Sequence, residues 1–593
     1  MLNMLRQTRL LLFMGVLLIG AAVTGEAQTV SLKIIQTTDT HGSFFPYDFI
    51  AAKETPTSLA QVFTYVKAQR ADAKQQVILL DGGDILQGQP TVYYSNFEKT
   101  AAPHLAAEVM NFMQYDAGAV GNHDVEPGHE VYDKIAREFQ FPWLAANAVK
   151  VGTTEPYFGA YVVLEKAGVK IAILGLTTPG VPNWLPGNLW QGIEYQDMVE
   201  SAKYWVPLIQ EKERPDVLIG LFHAGVDFTY GGATAATPLN ENGAELVAQQ
   251  VPGFDVVFVG HDHQGWNKTI TNDAGQTVLI LGGLNSARTI AVANLTLNHD
   301  EANQTWQKDV QGEIVEVKDF APDPEFQAHF AAAVAEVKSY VDKPIGKFTQ
   351  TISTRDAMFG DSAFVDLIHR IQLDLTKADV SFAAPLSFDA AIREGDIFVR
   401  DLFNLYKYEN LLYTMRLSGQ EIKDFLEYSY GKWFNQMQSA ADHLIAFKLD
   451  EQGQIMRTER TNAYQTITMY YNYDSAAGMN YTVDVSKPVG ERLTITSMAD
   501  GAPFDLTKAY TVAINSYRGN GGGGHLSEGA KIPKAEFSQR MLSSTVQDLR
   551  YYLMKWIEKQ QTVTPSALGN WTVIPAEWAA QGQATDAALL YHQ

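Results

Sequence analysis

The sequence has no cysteine in its 593 residues. Thiolate nucleophiles, zinc ribbons, disulfide frameworks and cysteine lipidation are excluded, and any metal must be held by His, Asp, Glu or Asn. Positive charge is also scarce, with 45 Lys and Arg against 67 Asp and Glu and a net charge of −22. That balance argues against a partner such as a nucleic acid polymer, whose phosphates require a basic surface. Beyond the N-terminus no segment offers the roughly 20 consecutive apolar residues of a bilayer span. What is present is 46% hydrophobic and 11% aromatic, which rules out a disordered or collagen-like polymer and suffices for more than one core.

The one long apolar run, residues 10–23, follows Arg6 and Arg9 and leads to Gly25-Glu26-Ala27. It reads as a secretory signal over residues 1–27, with a membrane anchor as the alternative that the shortness of the run disfavours. Export to a periplasm, a cell envelope or the medium is expected, with no stable membrane span after signal removal.

From residue 30 to 297 one pattern recurs: a short aliphatic run, a polar Gly-containing turn, then usually a helical stretch. The runs are 30–36, 77–80, 117–120, 169–176, 217–222, 254–259 and 277–281, with helices over 58–70, 100–113 and 130–139. Continuous apolar strands are buried on both faces, so this half reads as a layered α/β domain over 28–322. Apolar positions at helical spacing make 323–345 a linker helix. A second domain, 346–560, mixes helices (362–375, 419–430, 545–559) with strands (413–417, 466–471, 509–514). Residues 561–593 show no clear period and are set apart as a C-terminal tail.

Five polar clusters stand out in the first half, four of them directly at the ends of predicted strands. They are Asp39-Thr40-His41-Gly42, Gly83-Asp84, Gly121-Asn122-His123-Asp124, His223, and Gly260-His261-Asp262-His263. Taken singly, each has an ordinary reading as a turn, an Asx loop or a satisfied core histidine. Taken together they supply seven oxygen or imidazole donors at the carboxyl ends of strands, the edge that bears sites in open α/β sheets.

This ordered series resembles the calcineurin-like metallophosphoesterases. With the second half, the chain resembles the exported 5′-nucleotidase and 2′,3′-cyclic-nucleotide 2′-phosphodiesterase family. The resemblance implies a four-layer metallophosphoesterase domain, helices flanking a β-sandwich, followed by a helical linker and a smaller mixed α/β substrate-binding domain. It implies two divalent ions, Zn, Mn or similar. Asp39, His41 and His263 would hold the first, Asp84 would bridge, and Asn122, His223 and His261 would complete the second. A hydroxide between the ions would attack phosphorus with His123 assisting. Relatives support that histidine with an Asp three residues on; here the position is Glu126, which is either that partner or a solvated loop carboxylate. Asp262 is read as a supporting or surface carboxylate.

The second half offers Tyr517-Arg518-Gly519-Asn520 followed by four glycines, and Tyr406-Lys407-Tyr408-Glu409-Asn410. By the same resemblance Tyr517 and Tyr408 form a clamp for a nucleoside base, with Arg518 beside it, while Arg355 and Arg393 match positions that hold phosphate. Core aromatics and surface ion pairs are the alternatives. Typical 5′-nucleotidases carry Asn-Gly-Gly-Gly-Ile-Arg where this chain has Phe388-Asp389-Ala390-Ala391-Ile392-Arg393, and an Asp where it has Gly523. The expected substrate is therefore a small-molecule nucleotide, as a 5′-monoester, a 2′,3′-cyclic diester or both. Alternatives are a phosphatase or sulfur-ester hydrolase of different substrate, or a catalytically silent nucleotide-binding surface protein. Metal identity, base preference and oligomeric state are not encoded in these motifs.

Overall fold

A computed structural model describes residues 28–458 and 462–591. The expected signal, 1–27, lies outside the described residues. Two six-stranded sheets face each other in the first half. One runs Thr305–Glu316, Thr289–Asp300, Thr29–Thr37, Gln76–Asp81, Ala117–Ala119, Trp143–Leu144; the other runs Trp266–Thr271, Thr277–Gly282, Val256–Val259, Val217–His223, Val169–Thr177, Tyr161–Lys166. The central strands are parallel and an antiparallel hairpin strand closes edges of both sheets.

The alternation within each apolar run explains the layering. Ile34, Ile78 and Leu80 point between the sheets toward Ile173, Ile219 and Phe258. Their neighbours Ile35 and Leu79 point outward onto helices Leu59–Arg70 and Leu105–Met113. On the far side Leu174, Leu218 and Val257 meet helices Met198–Glu213 and Ala244–Gln250. Helices thus cover both outer faces of a β-sandwich, a four-layer order in which every central strand is buried on both sides.

The expected linker helix is two helices, Pro324–His329 and Ala331–Val341, broken at Phe330. Phe326, Phe330, Val337 and Val341 are buried in the core of the first half, so the segment packs onto that half. In the second half a five-stranded sheet runs Ser475–Ala477, Val380–Ala383, Ala509–Asn515, Leu412–Ser418, Met541–Ser544. Helices Ala363–Thr376 and Gly419–Trp433 pack on it.

Two expectations are corrected. Residues 466–471 do not form a strand: Thr466 makes one isolated bridge, and Tyr470–Asn472 is a 3₁₀ turn. The segment after residue 560 is not a separate tail. Thr562–Val563 joins the strand Pro344–Phe348, and Trp571–Ile574 pairs in parallel with Met479–Asp484. Helix Ala576–Tyr591 then closes the second core through Trp578, Ala587 and Leu590. Among the described residues no helix is long and apolar enough to cross a membrane.

Candidate metal centre

Each donor-bearing turn of the first half leaves the carboxyl end of a strand. Asp39 and His41 follow Thr29–Thr37, Asp84 follows Gln76–Asp81, Asn122 follows Ala117–Ala119, His223 ends Val217–His223, and His261 and His263 follow Val256–Val259. Because these strands are neighbours in facing sheets, turns far apart in sequence converge at one edge. Asp39, His41, Asp84 and His263 can each bring one donor atom within 4.8 Å of the others, and so can Asp84, His223 and His261. Asp84 belongs to both groups. His41 Nε2 lies 3.0 Å from His263 Nε2, and His223 Nε2 lies 3.2 Å from both Asp84 Oδ2 and Asn122 Oδ1.

The turns are shaped for this convergence. Asp39, His41, Asp84, His261 and His263 all have positive φ, between 48° and 76°, a region non-glycine residues seldom occupy. Backbone bonds hold them there: Asp39 N donates to Gly83 O at 2.9 Å and His41 N to Asp84 O at 3.0 Å. Gly121 is required by crowding, since a Cβ at that position would fall 2.2 Å from Asp84 Oδ1.

A second tier of contacts orients the donors. His41 Nδ1 donates to Gln87 O at 2.9 Å and His223 Nδ1 to Gly82 O at 2.7 Å, leaving each Nε2 facing the cluster. Thr38 Oγ1 donates to Asp39 Oδ2 at 2.6 Å. Asp124 is fully buried and accepts from the backbone N–H groups of Asp84, Ile85, Leu86 and Gly121 at 2.7–3.1 Å. It ties two donor turns together. The sequence placed Asp124 inside a motif but offered no sign of this work, because three of its four partners are backbone groups of a distant turn.

Burial and neighbouring charges act differently on the imidazoles of the cluster. Burial, then His263, pushes His41 down to about 3, and burial with His223 pushes His261 down to about 3, so both present neutral imidazoles. Burial opposes charge on His223 too, but Asp84 beside it raises that imidazole to about 10. Burial opposes charge on Asp39, but His263 and then His223 together bring it down to about 2. Oxygen and imidazole donors, five of the seven buried, oriented and converging at one edge, fit divalent cations.

His123 stands beside this cluster. Its backbone N–H donates to Asp84 Oδ1 at 2.8 Å, its ring centroid is 5.5 Å from that of His41, and its Nδ1 is 2.5 Å from Glu126 Oε2. Burial opposes its charge, yet Asp84 and Glu126 raise the imidazole to about 9. Asp262 accepts from Val226 N at 3.1 Å and Trp266 Nε1 at 2.9 Å, holding the last donor loop.

The expected substrate contacts are divided. Tyr517 lies on a short helical turn, Ser516–Gly519, with its ring against Gly522, where a Cβ would sit 2.6 Å away. Tyr408 is half-buried, 6.5 Å edge-to-face from Tyr471. Arg393 is exposed. Two expectations change. Arg518 is buried and turned inward: it pairs with Asp474 at 2.7 Å and donates to Gly522 O at 2.7 Å and Tyr471 O at 2.9 Å, so it shapes the glycine loop rather than reaching outward. Arg355 is engaged by Asp389 at 2.6 and 2.8 Å and lies 4.6 Å over the Tyr591 ring, so it is not a free cation.

Comparison with known proteins agrees with this geometry. The calcineurin-like phosphoesterase profile matches residues 32–265, and the profile of the 5′-nucleotidase C-terminal domain matches residues 344–528. The chain is 28% identical to a Haemophilus influenzae 2′,3′-cyclic-nucleotide 2′-phosphodiesterase/3′-nucleotidase, over 92% of this chain and 88% of that one. It is 26% identical to the trifunctional nucleotide phosphoesterase protein YfkN of Bacillus subtilis, covering 93% of this chain but spanning only 39% of that protein's length. A solved structure of a putative 5′-nucleotidase from Staphylococcus aureus shares the fold, with a TM-score of 0.74 at 19% identity, covering 92% of this chain and 99% of that one. With both profiles matched in order and the donor turns gathered at one sheet edge, the chain belongs to the calcineurin-like phosphoesterases that carry a 5′-nucleotidase C-terminal domain.

Proposed function

We propose that this protein hydrolyses phosphate esters of nucleotides, either 2′,3′-cyclic diesters, 5′-monoesters or both. The observation that carries the reading is that two donor groups share Asp84 while His123, backed by Glu126, stands beside them. Calcineurin-like phosphoesterases bind two divalent ions; here Asp39, His41, Asp84 and His263 would hold one, and Asp84, Asn122, His223 and His261 the other. When bound, such ions supply Lewis-acid stabilisation of the attacking and leaving oxygens and make a nucleophile available at neutral pH.

The remaining work falls to side chains. Glu126 accepts a hydrogen bond from the Nδ1–H of His123, fixing the ring and favouring its charged form. His123 then carries a proton on Nε2, faces the phosphoryl group as a cation, and delivers that proton to the leaving-group oxygen. Tyr408 and Tyr517 stack on the base, and Arg393 meets the phosphate. The cyclic-nucleotide reading gains support from coverage. The relatives from Haemophilus influenzae and Salmonella typhimurium named for that activity align over 92% and 94% of this chain, whereas a Vibrio cholerae 5′-nucleotidase aligns over 67%.

Export is part of the proposal, supported by Arg6, Arg9 and the apolar run 10–23. So is a division at 28–322, 323–345 and 346–591, the last reaching through the C-terminal helix. The test is phosphate release by the mature protein from 2′,3′-cyclic AMP, adenosine 5′-phosphate and a plain aryl phosphate, with bound metals quantified. Faster turnover of at least one nucleotide is expected. Equal rates on all three, or nucleotide binding without phosphate release in added manganese or zinc, would overturn it.

A further inference from the structure

Arg550 is a buried cation at the contact between the two halves, 2% exposed. Its Nε donates to Tyr406 O at 3.1 Å and its Nη2 to Lys407 O at 2.6 Å. The guanidinium lies 4.1 Å from the Phe403 ring centroid and 4.8 Å from that of Tyr93, a residue of the metal-bearing half. Tyr93 in turn donates its hydroxyl to Asp548 Oδ2 at 3.0 Å. The remaining Arg550 nitrogen, Nη1, is 3.5 Å from Glu409, a buried carboxyl whose oxygens have no hydrogen-bond partner among the described residues. Burial raises Glu409 to about 8, and Glu126 adds to the rise from across the contact.

The loop that Arg550 grips has no regular secondary structure over residues 406–411, so its carbonyls lack ladder partners. Arg550 satisfies two of them at once. A third, Asn410 O, accepts from Leu549 N at 2.8 Å. The same loop touches both sides of the site. Gln87 Nε2 donates to Lys407 O at 3.4 Å while Gln87 O receives His41 Nδ1, and Leu411 N donates to Ser516 Oγ at 3.0 Å, one residue before Tyr517.

We infer that Arg550 is a positioning residue that clamps the Tyr406–Asn410 loop to the metal-bearing half, through the Tyr93 ring on one face and the Tyr406 and Lys407 carbonyls at its edge, and so sets where Tyr408 stands relative to His123. The inference rests on the reading of Tyr408 as a nucleoside contact. A guanidinium is suited to the task because its planar fork bonds adjacent carbonyls while its face stacks, which a lysine ammonium cannot do.

The experiment compares the full chain with Arg550→Lys. The KM for 2′,3′-cyclic AMP is expected to rise about tenfold, as for loss of a charge-assisted hydrogen bond, with a much smaller change on aryl phosphate and no loss of bound metal. A second readout is independent of substrate. The chain has no cysteine, so Tyr408→Cys carries the only thiol, and its rate of reaction with a disulfide reagent should increase about tenfold when Arg550→Lys is added. Should Arg550→Lys fail to fold, Tyr93→Leu removes the ring face against which the guanidinium stacks and should move both readouts the same way. An unchanged thiol rate, or equal loss on nucleotide and aryl phosphate, would overturn the role of Arg550. Should the unsubstituted protein show no preference for nucleotides, the nucleoside reading falls, and the thiol rate alone then decides whether Arg550 positions the loop.

Discussion

His123 Nδ1 and Glu126 Oε2 lie 2.5 Å apart, three residues along one turn. Glu126 is 6% exposed and faces the histidine rather than solvent. The extra methylene of Glu, relative to the Asp of relatives, still reaches the ring. His123→Ala should keep its metals and lose turnover by roughly 100- to 10,000-fold. Glu126→Gln should lose less, because the amide oxygen still accepts from Nδ1 but no longer stabilises the imidazolium. Steady-state rates with metal analysis on the same samples check both.

Asp84 is the one residue common to both donor groups. Asp84→Ala should therefore reduce the content of both ions, whereas His263→Ala should reduce one. Elemental analysis of the purified variants reads the difference.

Asp124 accepts four backbone N–H groups from two turns. Asp124→Ala would leave those buried donors unpaired, and a stability loss of about 3 kcal/mol is expected. Asp124→Asn, which can accept from only part of the set, should fall between. Denaturant unfolding of the metal-free proteins measures it.

Tyr517 rests on Gly522, and Tyr408 on the loop that Arg550 grips. Tyr517→Ala should raise KM for nucleotides far more than for aryl phosphate, because only the former has a base to stack. An equal loss on both substrates would remove the clamp.

Asp366 and Asp361 crowd each other where the C-terminal segment docks, accepting from Leu568 N at 2.6 Å and Gly569 N at 2.7 Å. Burial, then Asp361, raises Asp366 to about 8. The folded state thus binds this proton more tightly than the unfolded chain. The stability it contributes is fully present below pH 3.8 and is lost as pH rises through about 8. Thermal unfolding between pH 4 and 8 should show that slope, and Asp366→Asn should flatten it.

Much of the fold was legible because its central strands are buried on both faces and read as unbroken apolar runs. The donor turns were legible because each follows such a run directly. Residues 466–471 misled because Thr, Ile and Tyr favour strands, yet the segment ends in a turn that presents Tyr471 to Tyr408. Trp571–Ile574 is only four residues long and its partner lies far earlier in sequence, so no local pattern marked it. The sequence sets Arg518 beside the base clamp and next to glycines; its inward turn depends on Asp474, a pairing set by tertiary packing.

The central claim is that turns from both sheets hold a pair of ions around Asp84. Metal content per chain, measured on the mature protein alongside phosphate release before and after chelation, tests it most directly. Two equivalents of divalent metal, with activity lost on chelation and restored on reconstitution, are predicted. Full activity in protein stripped of metal, or a single ion retained equally by the wild type and Asp84→Ala, would contradict it.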